Sequence, residues 1–388
     1  MKIICSKDQL MYGVNIVSKA VPANTTMSIL NCILVDASGD IIKFTANDGD
    51  LGIETTVEGN IVDHGIIAID AKMFSDVVRK LPDIDVEIEV GSDNIVKIKC
   101  GKLNFEINGE NGESFTVLPY IEKNEAVIIS QLALKDLIRQ TIFSIGNSDT
   151  NKIMSGIHLF INNNKLKVSS LDGHRISIRN IELKNNYLPM EAIVPGKALN
   201  EISKILTGGA EDDVNFYITK NFVLFEFNNT KVVSRLIEGK YYSVNQMISG
   251  DYDTKVSVNN KELTGCIDRS LLLIKETDKK PLIFKVTDEN LEVKINTSMG
   301  RLNEKLLINK QGNDILIAFN PKYLMDAMRV IDDEEINLYM INAKSPCIIR
   351  DDELNYIYFI FYCIHNGILR ILFFCIILSF GRHLNNNR

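Results

Sequence analysis

Apolar residues recur three and four positions apart in three stretches of this chain, and the three stretches match. They are Asp70–Leu81 (DAKMFSDVVRKL), Pro195–Leu206 (PGKALNEISKIL) and Asn320–Ile331 (NPKYLMDAMRVI), with starts 125 positions apart. Phe74, Leu199 and Leu324 coincide, as do Val77, Ile202 and Ala327, and then Leu81, Leu206 and Ile331. Spacings of three, four and seven put each set on one face of an amphipathic helix. Lys72, Lys197 and Lys322 coincide as well, followed by Asp76, Glu201 and Asp326, and by Arg79, Lys204 and Arg329. Asp70, Pro195 and Asn320 stand where an N-cap or first-turn residue belongs. The pattern predicts one helix built three times, with a period typical of a whole domain and far longer than a solenoid repeat.

A second helix precedes each of these. A short strand at Met1–Cys5 leads into a helical pattern from Lys7 to about Val21. Val127–Ser130 leads into Leu132–Phe143, and Val256–Val258 into Lys261–Leu273. Alternating strand patterns fill the intervals, among them Ile29–Asp36, Ile42–Asn47 and Gly52–Val57. Strands at Ile66–Ile69, Ala192–Val194 and Ile315–Phe319 lead into the repeated helices. Three more follow each helix: Val86–Val90, Ile95–Cys100 and Leu103–Ile107; Val214–Thr219, Phe222–Asn228 and Lys231–Leu236; Ile336–Ile341, Cys347–Arg350 and Tyr356–Ile360. The predicted fold is α+β: three repeated domains, each strand–helix–strands twice over, with two helices on one side of antiparallel sheets. Polar, charged junctions near Glu122–Glu125 and Gly250–Asp253 place the domains at 1–124, 125–252 and 253–361, followed by an atypical tail at 362–388.

Composition narrows the function. A chain of 388 residues exceeds one ordinary core. The N-terminus turns polar too soon for a signal peptide, and the seven cysteines are scattered without a CxxC or a neighbouring histidine at zinc spacing, so a reduced cytoplasm is expected. GxSxG, P-loop, GxGxxG and HExxH motifs are missing, and Asp172 and His174 have no evident nucleophile partner, so catalysis has little support. The net charge of −7 argues against an all-basic surface but leaves room for a local cationic stripe. Regularly spaced cations on helix faces that the core does not use suit a phosphate backbone met without regard to base sequence. The plain alternative is that Lys and Arg are good exposed helix formers, and that common ancestry repeats them.

Several segments then resemble one family. Ser170-Leu171-Asp172-Gly173-His174-Arg175-Ile176 is similar to a DGHR-containing motif of the bacterial DNA polymerase III beta subunits, the sliding clamps. Ser28-Ile29-Leu30, Met154-Ser155-Gly156-Ile157, Ala192–Lys197 and Glu238-Gly239-Lys240-Tyr241 match it too, and the likeness runs from Met1 to about Tyr358. The resemblance implies a head-to-tail homodimer closed into a ring around duplex DNA, with helices lining the hole and sheets outside. Such a ring is a non-catalytic processivity factor. It needs no cofactor, metal or small-molecule substrate, and it tethers the replicative DNA polymerase, the clamp loader and repair proteins through short linear peptides.

The resemblance also implies site residues. Lys72, Arg79, Lys197 and Lys204 belong to the DNA-facing surface, and the internal repeat extends this to Lys322 and Arg329. The family also touches DNA near Asn24, Ser148 and Lys152, with Asn24 standing where the family has arginine. A peptide groove is implied at Met154, Leu171, Gly173, His174, Arg175, Ile176, Tyr242, Gln246 and Met247, with Phe359 and Ile360 from the last strand. Tyr242 and Gln246 replace a frequent proline and arginine, and His174 could instead be an ordinary turn or core histidine. The dimer interface is expected where Phe105 and Ile107 on the edge strand Leu103–Ile107 meet Leu271 and Leu272 of a second copy. The alternative is that all four are core residues of their own domains.

The C-terminus departs from the family. Phe359-Ile360-Phe361-Tyr362 lacks the usual proline, and the chain runs on through ILRILFFCIILSF (Ile368–Phe380) to Arg388. The apolar stretch from Tyr356 is long enough to consider a membrane span, although His365, Asn366, Gly367 and Arg370 interrupt it. It reads as an abnormal or frame-shifted end rather than an anchor. A clamp defective in ring closure or partner binding and a membrane-tethered scaffold are the rival readings.

Overall fold

The computed structural model describes residues 1–147, 151–244, 252–275 and 280–361. Six α-helices are present among them: α1 (Lys7–Val17), α2 (Ala71–Lys80), α3 (Gln131–Arg139), α4 (Gly196–Ile205), α5 (Asn260–Leu271) and α6 (Pro321–Met328). The caps follow from the sequence. Asp70 accepts the Met73 N–H at 2.8 Å, Asn259 the Glu262 N–H at 3.0 Å and Asn320 the Lys322 N–H at 3.0 Å. The nine repeated apolar residues of α2, α4 and α6 and their ends are all buried.

Four helices end before the pattern does: α5 stops at Leu271 rather than Leu273, α6 stops at Met328 with Arg329 as its C-cap, and α1 and α3 each stop at a hydroxyl. α1 ends at Val17, not near Val21: the Ser18 hydroxyl turns back to the Val14 carbonyl, a 3-10 turn covers Ser18–Ala20, and Pro22 cannot continue a helix. α3 ends at Arg139, not Phe143, because Thr141 bonds back to the Leu137 carbonyl before a 3-10 turn at Ile142–Ser144. In both, an apolar period continues past the point where a hydroxyl competes for the backbone.

The chain forms two compact units. The first comprises Met1–Lys135 and Lys197–Leu236. Its thirteen-stranded sheet runs from Val127–Ser130 at one end to Asn60–Asp63 at the other. Near the middle Thr230–Arg235 pairs antiparallel with Leu51–Val57, with Val232 opposite Ile53 and the Thr55 and Thr230 hydroxyls 2.8 Å apart. Phe44 and Phe74 meet at 5.8 Å beneath α2.

The second unit comprises Asp136–Gly196 and the described residues from Ile237 onward. It holds a seven-stranded and a four-stranded antiparallel sheet. Tyr356–Ile360 lies inside the larger one, paired with both Arg175–Pro195 and Cys347–Arg350. Its alternation assigns two cores. Tyr356, Tyr358 and Ile360 pack with Leu263 and Ile267 of α5 and Leu324 and Met325 of α6. Ile357 and Phe359 pack on the opposite face with Leu171, Ile176, Ile178 and Tyr241. A strand covered on both faces reads as a continuous apolar run, which accounts for the apolar character at Tyr356–Ile360 without a membrane. No helix among the described residues is long and apolar enough to cross one.

Candidate functional site

The six repeated cations are all exposed. They fall on the helix positions that the buried stripe leaves free. Their partners differ. Lys197 lies 2.5 Å from Asp48, Lys204 2.7 Å from Glu201 and Arg79 3.4 Å from Asp76. Arg329 stands 3.7 Å from Asp268, at the outer limit of an ion pair. Lys72 and Lys322 have no ion-pair partner among the described residues, so each presents an uncompensated charge. Asn24 is exposed in a loop, and Lys152 is exposed at the start of the 3-10 turn Lys152–Ser155. Ser148 lies outside the described residues.

None of the four residues expected at the interface is fully buried. Leu103–Asn111 pairs with Ile95–Cys100 along its first part, and reaches Ile66–Asp70 only from Gly109 onward. Residues 103–107 therefore have one ladder partner among the described residues, and the other edge is open. Phe105 and Ile107 lie opposite the buried Ile98 and Val96, but are themselves only half-buried. Leu272, just past α5, is 78% exposed, while Leu271 packs partly into the core of its own unit. Among the described residues Arg301–Leu307 also pairs on one side only and is a further open edge that the sequence reading passed over.

Of the residues expected in a peptide groove, Leu171, Ile176, Phe359, Met154 and Tyr242 gather on the face of the seven-stranded sheet away from α5 and α6, while the turn with His174 and Arg175 reaches α6. A tight turn forms one side. Gly173 has φ of 90°, a left-handed value that a side chain disfavours. The Asp172 carboxylate accepts the backbone N–H groups of His174 and Arg175, at 2.8 and 3.0 Å. It also accepts Arg175 Nε at 2.9 Å, and Asp326 of α6 takes the far end of the same guanidinium. That guanidinium lies over the rings of Tyr323, 4.6 Å away, and Phe143, 5.4 Å away. His174 stacks on Tyr323 at 5.7 Å, and its carbonyl accepts the Phe361 N–H.

Leu171, Ile176 and Phe359 are fully buried beneath this turn, and Met154 and Tyr242 pack partly exposed against the same cluster. The Tyr242 hydroxyl accepts the Asn151 side-chain amide at 2.7 Å. Ile360 points the other way, into the α5–α6 core, so its side chain does not join Phe359 in the groove. Gln246 and Met247 lie outside the described residues, as does the tail at 362–388. The sequence reading missed Tyr323, which stacks on both His174 and Arg175. The signal was present: Tyr323 stands where the other repeats carry Met73 and Ala198.

Three family models match the chain in order. The DNA polymerase III beta subunit N-terminal domain covers residues 1–119, the central domain 128–242 and the C-terminal domain 245–361. The Beta sliding clamp of Bacillus subtilis (strain 168) is 35% identical over 365 residues, covering 90% of this chain and 96% of that protein. A crystal structure described as a DNA polymerase III beta subunit from Eubacterium rectale is 57% identical. Its TM-score is 0.91, with 94% of this chain and 99% of that one covered. The crystal structure of the DNA polymerase sliding clamp from Bacillus subtilis is 33% identical, with a TM-score of 0.91 and 94% and 100% coverage. With all three domain models matched along its length, this chain belongs to the DNA polymerase III beta subunit family, the bacterial sliding clamps.

Proposed function

We propose that this chain is a DNA sliding clamp. Two copies close head to tail into a ring around duplex DNA and hold the replicative DNA polymerase on its template. The observation that carries the reading is the threefold helix with exposed cations at equivalent positions, in a chain whose relatives are named sliding clamps. Non-specific phosphate contacts retain the ring without fixing it, because no base contact breaks as it moves. The chain is itself non-catalytic and works in the cytoplasm.

Three clamp domains, at 1–124, 125–252 and 253–361, supply the parts. Lys72, Arg79, Lys197, Lys204, Lys322 and Arg329 face the DNA, with Asn24, Ser148 and Lys152 at its margins. The open edge at 103–107, with Phe105 and Ile107, meets Leu271 and Leu272 of the second copy. Met154, Leu171, the Gly173–Ile176 turn, Tyr242, Gln246, Met247 and Phe359 form a groove for short peptides of the polymerase, clamp loader and repair proteins. Apolar anchors in this preformed cleft supply most of the affinity.

Primer extension on a long circular single-stranded template tests the function. With the cognate polymerase, loader and ATP, adding the protein should lengthen the product made per binding event. Products of equal length with and without it would contradict the reading.

A further inference from the structure

An aromatic column runs beside the groove and includes two residues, His158 and Phe160, that the repeat pattern and the family resemblance both pass over. His158, on the strand Gly156–Leu171, lies face to face with Tyr241, with ring centroids 4.8 Å apart and planes 12° apart. Phe160 also stacks on His158, at 6.4 Å, and that residue is 37% exposed. Tyr241 meets Tyr242 edge-on at 6.1 Å. The column therefore leads from solvent at Phe160, through His158 and the buried Tyr241, to the half-buried Tyr242.

Each member is held. His158 Nε2 is 3.2 Å from the Glu191 carboxylate on the neighbouring strand. Asn151 fixes the Tyr242 hydroxyl and also accepts the Ile153 N–H at 3.0 Å, which ties that hydroxyl to the 3-10 turn carrying Met154. Tyr242 is thus located by two supports, the Asn151 amide at its hydroxyl and the Tyr241 ring at its flank. Only the second depends on His158. Burial lowers the His158 pKa, which keeps the ring neutral and flat against Tyr241 at neutral pH.

We propose that His158 is a positioning residue for the peptide groove: by stacking on Tyr241 it sets where the Tyr242 ring stands, and so which apolar side chain the groove accepts. This rests on the groove reading above. His158 touches no peptide itself. Its influence passes through one ring contact, and that contact needs a planar group at position 158 rather than a hydrogen-bonding one.

The test uses the full chain, a fluorescein-labelled short linear peptide with leucine and phenylalanine anchors as the probe, and fluorotyrosine incorporation read by fluorine NMR. An aromatic pair stabilises by an amount that corresponds to roughly two- to tenfold in affinity, so His158→Ala should weaken the peptide by about fivefold. The Tyr242 fluorine resonance should shift or broaden. His158→Phe, which keeps a flat ring against Tyr241, should restore affinity to within about twofold. Met154→Ala and Tyr242→Ala serve as groove controls.

If both controls weaken the peptide while His158→Ala does not, His158 has no positioning role and the groove stands. If His158→Phe is as weak as His158→Ala, with the same loss of melting temperature, the role is merely structural and the proposal is overturned. If neither control changes the peptide affinity, the groove reading falls and takes this inference with it.

Discussion

The cations proposed to face DNA differ in one respect that a salt titration can read. Lys72 and Lys322, in the first turns of α2 and α6, are exposed without ion-pair partners among the described residues. Lys197 and Lys204 on α4 are already matched by Asp48 at 2.5 Å and Glu201 at 2.7 Å. A lysine that neutralises a phosphate adds about 0.9 to the slope of log affinity against log salt, through the counterions it displaces. Lys72→Ala with Lys322→Ala should therefore flatten the slope by about 1.8 per protomer. A paired lysine must give up its carboxylate to reach a phosphate, which offsets most of the gain. Lys197→Ala with Lys204→Ala should flatten the slope by less than about 1. The assay is equilibrium anisotropy on a short blunt-ended duplex, onto which a ring can thread, across roughly 50–200 mM salt. Equal slopes for the two double variants would refute the argument that intramolecular pairing discounts a cation. An unchanged slope for Lys72→Ala with Lys322→Ala would remove both residues from the DNA-facing surface.

Three further outcomes are expected. Leu272→Asp places a charge on a side chain that is 78% exposed, so the monomer should fold as before while dimer dissociation rises by about tenfold or more; an unchanged native mass at low concentration would exclude Leu272 from the interface. Arg175→Met strands Asp172 and Asp326 without their shared cation and removes the contact with Tyr323 and Phe143; denaturant unfolding should show a loss of about 2–3 kcal/mol, and a change below about 0.5 kcal/mol would contradict the assignment. Burial holds the His158 pKa below 6.5, with Glu191 raising it, Lys167 lowering it further and neutral Tyr241 against its face. The unfolded chain then binds the proton first, so the stability that the neutral ring contributes is present above about pH 6.5 and is lost as pH falls. His158→Gln should make the melting temperature fall less steeply between about pH 7 and about pH 5; a parallel fall in both proteins would contradict that sign.

Much of the architecture was legible because a helix period was written three times and two of the copies began at a capping residue. Asp70 and Asn320 do cap their helices as the pattern implied. The helix ends were harder to read, since at Ser18 and Thr141 the apolar spacing continues while a side-chain hydroxyl takes over a backbone carbonyl. The long strand Arg175–Pro195 was legible only at its end. Its middle, with Asn185, Asn186 and Pro189, reads as loop, and there the ladder to Gly156–Leu171 shifts register, with Met190 opposite Ile161, Tyr187 opposite Asn163 and Glu182 opposite Lys165. Within the candidate groove, the Asp172–Arg175 turn could be found from its motif, because a glycine and an Asx-type acceptor carry a local signal. Of the aromatic supports, Tyr323 carried a signal in the repeat, where it replaces Met73 and Ala198, but His158 carried none: it comes from a distant strand, and only tertiary packing brings it against Tyr241. Ile360 shows the converse: adjacent to Phe359 in sequence, it lies on the opposite face of a period-two strand.

The most direct measurement is topological. The protein is loaded onto a nicked circular plasmid with its cognate loader and ATP, free protein is removed, and the plasmid is cut once. A closed ring that slides is retained on the circle and lost from the linear product, and that is the predicted result. Equal retention before and after cutting would mean adhesive binding and would contradict the sliding-clamp account. Failure to stay on the circle, with a monomeric native mass, would contradict ring closure by this chain.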